Sequence, residues 1–163
     1  MTQFLERRSF IKHASAANAE RKGVLLLLDG DNFSAVTDKW GPVAHELAIQ
    51  AVEEAICSNV REFDVVSYLE GNRFVVFVNN ATLTEGGRIA ERIRKALARM
   101  TFEPKANVRH TLTVSIGGVI VPPKMDMSDQ ISWADTCLKQ AKTNGRNNVV
   151  MKTYLRTSAP LAA

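Results

Sequence analysis

Asp64-Val65-Val66-Ser67-Tyr68-Leu69-Glu70-Gly71-Asn72-Arg73-Phe74-Val75-Val76-Phe77-Val78 is the stretch on which the fold turns. Two short apolar runs, residues 65–69 and 74–78, flank the polar tetrapeptide Glu70-Gly71-Asn72-Arg73. Each run is too short for an ordinary helix, and a glycine break lies between them. The pattern predicts a β-hairpin with a tight polar tip.

Working outward, residues 24–28 form a continuous apolar run closed by Asp29-Gly30-Asp31, which reads as a buried strand. A short helical turn is expected over 33–38. Ala44, Leu47, Ala48, Ala51, Ala55 and Ile56 recur at helical spacing, so a helix is expected over 42–59 with Pro42 in its first turn. Beyond the hairpin, Ile89, Ile93, Leu97 and Met100 mark one face of a helix over 82–100, with arginines on the other face. Residues 111–121 alternate as a strand, through Leu112, Val114 and Ile116. Ile131, Ala134, Leu138 and Ala141 mark a last helix, capped at Asp126 or Ser128 and stopped at Asn144-Gly145. A final strand is expected over 149–151. At the other end, residues 2–19 read as a helix with Phe4, Phe10, Ile11 and Ala14 on its apolar side.

The order of elements contains βαββαβ. That predicts an α+β fold with a ferredoxin-like core: a central, mostly antiparallel sheet of about five strands flanked by helices. Right-handed crossovers would put the two connecting helices on one face.

Bulk properties agree with one folded unit. The chain has 163 residues, 45% hydrophobic and 23% charged, which is globular composition. Cys57 and Cys137 are far apart and form no metal-binding pair. They are expected to be reduced, partly buried small hydrophobes. No apolar run spans a bilayer and the start lacks a signal core, so a cytoplasmic location and no membrane segment are expected. The net charge of +4 suits a phosphate-bearing ligand or an acidic partner. No basic–aromatic stripe accompanies it, so nucleic acid is not an expected partner.

Several segments now carry a resemblance. Leu28-Asp29-Gly30-Asp31-Asn32-Phe33 resembles the D-x-D-x-F-K segment of GGDEF domains. Glu70-Gly71-Asn72-Arg73-Phe74 sits on the hairpin tip where that family carries GG(D/E)EF. Thr113-Val114-Ser115-Ile116-Gly117 resembles its TVSIG strand. Ala134-Asp135 and Gln140-Ala141-Lys142-Thr143-Asn144-Gly145-Arg146-Asn147 resemble AD…AK-x-x-GRN, and residues 1–10 resemble a drifted LTGLxNRRxF. The order and spacing hold from residue 1 to about 151. The resemblance implies the nucleotidyl-cyclase-like GGDEF fold, a GGDEF domain over 1–153 and a linker or tail over 154–163.

Active members of that family are diguanylate cyclases, which join two GTP molecules into cyclic di-GMP. The 3′-oxygen of one GTP attacks the α-phosphate of the other, with Mg²⁺ held by carboxylates. Asp29 matches the first metal carboxylate. The second falls on Asn72, a neutral amide, and the next, normally acidic position is Arg73, a cation that opposes metal binding. The first glycine of the motif is Glu70. The phosphate-contacting lysine is replaced by Ser34, and the guanine-reading pair falls on Thr37 and Glu46. Lys142 and Arg146 match phosphate-binding positions. No catalytic residue, metal ion or GTP is therefore expected. Asp29, Lys142 and Arg146 remain as a residual nucleotide-binding set, and Asp29 is the one retained carboxylate ligand. Read without the family, Asp29 and Asp31 are ordinary turn residues after a strand, and Lys142 and Arg146 complement a helix C-terminus.

The family also has an inhibitory site for its product, marked by R-x-x-D five residues before the motif. Arg61-Glu62-Phe63-Asp64 lies in that register, and Arg92 matches a further arginine of some relatives. Arginine's planar fork suits phosphate or a guanine edge. The competing reading is a local surface ion pair. Three functions follow from the resemblance. The first is a degenerate, inactive regulatory or scaffolding domain, excised from a larger protein with covalently linked EAL or sensory domains. The second is a cyclic di-GMP receptor through Arg61, Asp64 and Arg92. The third is a residual GTP-binding module or diguanylate cyclase.

Overall fold

The computed structural model describes residues 3–153. The elements in chain order are β1 (Phe4–Leu5), α1 (Arg7–Asn18), β2 (Gly23–Gly30), α2 (Phe33–Trp40) and α3 (Pro42–Cys57). Then come β3 (Val65–Tyr68), β4 (Arg73–Asn79), α4 (Leu83–Arg99), β5 (Phe102–Lys105) and β6 (Val108–His110). The last are β7 (Val114–Val121), α5 (Met127–Thr143) and β8 (Val149–Thr153).

Six strands form the main sheet in the order β1-β3-β4-β2-β7-β8. Its four inner strands are antiparallel neighbours and carry the ferredoxin-like order read from the sequence. The two outer pairs, β1 with β3 and β7 with β8, are parallel. β5 and β6 make a separate two-stranded ribbon.

β2 explains why the central run is apolar throughout. Val24, Leu26 and Leu28 pack into the core under α2, α3 and α4. Leu25 and Leu27 point the other way, into the core under α1 and α5. A strand covered on both faces needs apolar side chains at every position. The two crossover helices, α3 and α4, do share a face, as right-handed connections require.

Helix ends follow their local chemistry. Thr82 and Glu85 form a reciprocal capping box at the start of α4. Of the two candidates at α5, Asp126 is the cap, accepting from the Ser128 and Asp129 N–H groups. Gly117 lets β7 approach α5 closely: a Cβ there would lie 2.2 Å from the Leu138 backbone nitrogen. Cys137 is buried and Cys57 half-buried, and burial pushes both thiols up from their ordinary range.

Four expectations need correction. The first helix begins at Arg7 rather than residue 2, because Phe4 and Leu5 pair with Val66 and Ser67, and the Ser67 hydroxyl donates to the Leu5 carbonyl at 2.7 Å. The sheet has six strands rather than about five. The β5–β6 ribbon was not anticipated, since Pro104 sits within it and no two-residue period marks it. β7 starts at Val114 rather than residue 111. The expected tail, 154–163, lies outside the described residues.

Candidate functional site

The antiparallel register of β2 and β4 sets Asp29 directly opposite Arg73. The Gly30 N–H donates to the Asn72 carbonyl at 3.0 Å, which ties the hairpin tip to the end of β2. Asp29 and Arg73 follow the alternation of Leu27 and Val75, so both side chains face α5. There the sequence-selected groups meet. The Lys142 ammonium is bonded to the Asp29 carboxylate. Arg73 donates to Asp135 at 2.6 Å, and Lys139 pairs with the same carboxylate at 3.0 Å. The order across the cluster is cation, anion, cation, beside a second anion–cation pair.

This donor set is a poor match for magnesium. The ion needs several anionic or neutral oxygens free to approach it. Asp29, 14% exposed at its side chain, already has a cation on it. The Asn72 side-chain oxygen is buried without a hydrogen-bond partner, yet Arg73 stands next to it with its own Nε also buried and unpartnered. A dication placed here would sit between a guanidinium and an ammonium.

The rest of the tip is open. Glu70 is exposed, and Gly71 takes a φ of +73° with open space where a Cβ would stand. Left-handed backbone at the turn explains the retained glycine. The Tyr68 hydroxyl bonds to the Gly71 carbonyl and braces the tip. Arg146 lies in the turn after α5, exposed, at a φ of +63°; its backbone N–H donates to the Ala141 carbonyl and its carbonyl accepts from the Asn148 side-chain amide. The structure thus brings Asp29 and Lys142 together and leaves the Arg146 side chain apart from them.

Asp31 is structural. It is 7% exposed and accepts from the Thr113 hydroxyl at 2.8 Å, the Ser115 hydroxyl at 2.7 Å and the Asn147 N–H at 3.0 Å. It stitches the end of β2 to β7 and to the turn before β8. Thr37 is likewise occupied, bonded to the Phe33 carbonyl and to His45 Nδ1 at 2.8 Å, while Glu46 is exposed at the start of α3. The sequence reading missed Asp135 as a site residue. It lies within the Ala134-Asp135 segment, but which residue it faces depends on how α5 lies on the sheet.

The second candidate site forms a corner between α3 and β3. Asp64 has a fully buried side chain and Arg61 one that is 37% exposed. The carboxylate accepts from the Arg61 N–H at 2.8 Å, the Asn79 N–H at 3.0 Å and the Arg61 guanidinium at 3.2 Å. Arg61 also donates to the Asn79 carbonyl at 2.6 Å and lies over the Phe63 ring. Exposed Arg92 donates to the Asn59 carbonyl at 2.9 Å, two residues before Arg61. All three selected residues therefore gather at one loop.

Comparison with known proteins identifies the family and the fold. The sequence pattern of the family described as "Diguanylate cyclase, GGDEF domain" matches residues 1–148. Diguanylate cyclase DosC of Escherichia coli K12 is 31% identical over 154 residues, spanning 91% of this chain and 34% of that protein. Probable diguanylate cyclase DgcT of the same strain is 27% identical over 157 residues, spanning 93% and 35%. The chain thus spans about a third of the length of these curated relatives. The GGDEF domain of DgcB from Caulobacter crescentus, solved with c-di-GMP, superposes with a TM-score of 0.85 at 23% identity, covering 92% of this chain and 89% of that one. That likeness shows the fold. An EAL/GGDEF domain protein from M. capsulatus gives a TM-score of 0.73 at 30% identity, covering 90% and 98%. With the pattern matched over nearly its whole length and the fold shared, the chain belongs to the diguanylate cyclase GGDEF domain family.

Proposed function

We propose that this domain is catalytically silent and acts as a regulatory or scaffolding module in cyclic di-GMP signalling, within a cytoplasmic protein that also carries EAL or sensory domains. The observation that carries this reading is the ion-pair cluster at the hairpin tip. Arg73 and Lys142 occupy the charge that a magnesium ion would supply, and each is already matched to an aspartate. Ser34 and Thr37 extend the loss to the phosphate and guanine positions. Incubation with GTP and Mg²⁺, followed by chromatography, tests it. No cyclic di-GMP should form, and Asn72→Asp with Arg73→Glu should not restore turnover. Product formation by the wild-type chain that Asp29→Ala abolishes would overturn the proposal.

A second reading, binding of cyclic di-GMP, is favoured by the corner. Arg61 from the loop after α3 and Arg92 from α4 present two guanidinium heads at one corner, and buried Asp64 holds Arg61 in place. Asp64 is then a positioning residue, and the two arginines make the contacts. Calorimetry should give heat at micromolar ligand that Arg61→Ala and Arg92→Ala each remove with the fold intact. Absence of heat with folded wild-type protein sinks this reading and leaves the first untouched.

A further inference from the structure

The linear sequence carries no basic–aromatic stripe, but the fold assembles one from four elements around the β5–β6 ribbon. Lys39 and Trp40 close α2, Arg99 ends α4, Lys105 ends β5, and Arg109 and His110 lie on β6. The four cations and His110 are exposed, and Trp40 is half-buried. His110 packs edge-on to Trp40 with ring centroids 5.0 Å apart, and the Lys39 ammonium stands 4.7 Å from the centre of the Trp40 ring.

Three surface cavities meet at this pair of rings. One of about 610 Å³ is bounded by Lys39, Trp40 and Lys105, one of about 240 Å³ by Lys39, Trp40 and His110, and one of about 530 Å³ by Arg99, Arg109 and His110. Shared walls make them one track: Lys39 and Trp40 belong to the first two, and His110 to the last two. The free charge along it has one sign. Among the described residues Lys39, Arg99, Lys105 and Arg109 enter no ion pair. The carboxylate in the walls is that of Asp31, which is buried and taken up by its bonds to Thr113, Ser115 and Asn147. Exposed Glu103 of β5 lines a different cavity, with Leu47 and Gln50 of α3.

Unpaired cations attract any anion, and the aromatic pair narrows the choice. A bare polyanion uses the cations and leaves the rings idle. A duplex keeps its bases stacked on one another. A single strand offers an unstacked base to an aromatic ring and a phosphate to the cation beside it. The two larger cavities are each of a size that holds a ligand, so the track suits several linked nucleotides rather than one. We propose that the groove between α2 and the β5–β6 ribbon binds single-stranded nucleic acid, with Lys39, Arg99, Lys105 and Arg109 on its phosphates and a base against Trp40 and His110. The site uses none of the charged residues of the hairpin tip or of the Arg61–Arg92 corner, so it holds whether or not the domain binds cyclic di-GMP.

Titration of the chain with oligouridylate and oligothymidylate of about ten nucleotides, followed by tryptophan emission and by anisotropy of the end-labelled strand, tests this. Saturable binding that quenches Trp40 is expected in the micromolar range at low salt. The log of the affinity should fall against the log of salt with a slope of about −3, from about −0.7 for each of the phosphates held. Lys105→Ala and Arg109→Ala should each flatten that slope by about 0.7. Trp40→Ala should weaken binding about fivefold or more. Trp40→Phe should keep most of the affinity and lose the quenching, since Trp133 packs on the opposite face of the sheet. Lys105→Glu with Arg109→Glu, at exposed positions, should abolish binding and leave the thermal melt unchanged. Inorganic polyphosphate or a duplex binding as tightly as the single strand, binding without a change in Trp40 emission, or no binding by the folded wild type at about 50 mM salt would overturn the proposal. Arg61, Asp64 and Arg92 are unchanged in every variant, so cyclic di-GMP binding is scored separately.

Discussion

Arg73 meets Asp135 across 62 residues of sequence, whereas Arg61 meets Asp64 three residues on. The distant pair consists of side chains alone, 37% and 29% exposed. The local pair is woven into backbone: Asp64 caps two N–H groups, and Arg61 holds a carbonyl of β4. A pair of the second kind is required by the loop whether or not a ligand ever arrives. A pair of the first kind is not required by the fold, so its presence at the tip reflects what that corner of the surface has become. The lesson is that the same two residue types carry different information according to what else they bond.

Substitutions can break this contrast or sharpen it. The largest effect is expected at Gly117, since α5 delivers Asp135 and Lys142 to the tip only if it seats against β7. Gly117→Ala forces a Cβ into the helix backbone and should cost more than about 3 kcal/mol by denaturant unfolding. Asp64→Ala should cost about 2–3 kcal/mol, because two backbone N–H groups lose their acceptor and Arg61 its partner. Thr82→Ala, which touches neither pair, should cost about 1 kcal/mol as an ordinary cap loss. Arg73→Ala should cost less than about 1 kcal/mol, since both members of its pair remain partly solvated. An Arg73 cost matching that of Asp64 would erase the distinction between the two pairs.

The cap also sets a pH dependence. The Thr82 N–H holds the Glu85 carboxyl below the usual carboxylate range, against a smaller opposing effect of desolvation. A depressed folded pKa gives stability that is present above the unfolded value and is lost as pH falls through the folded one. Unfolding curves of wild type and Glu85→Gln should therefore diverge above the ordinary carboxylate range and converge in acid.

Long periodic segments were legible before any coordinates. β2, β4, α4 and α5 announce themselves through apolar runs, helical spacing and caps, and their order yields the sheet. Phe4–Leu5 could not be read as a strand, because two residues show no period and their reason for being extended is Ser67, far away in sequence. Residues 102–110 hide a ribbon behind Pro104 and a turn at Asn107, whose φ is +63°. At the tip, the sequence located Asp29, Asn72 and Arg73 but not Asp135. Which carboxylate faces Arg73 depends on the seating of α5, a tertiary quantity.

The ion-pair cluster at the tip makes its charges interdependent. Arg73 and Lys139 share Asp135, and Lys142 holds Asp29. A charge reversal at one member, Arg73→Glu, would leave Asp135 with Lys139 alone and set a second carboxylate against it. Each charge in the cluster is matched by another, so substitutions within it should combine non-additively. A change at any one of these charges therefore alters the cost of a change at the others.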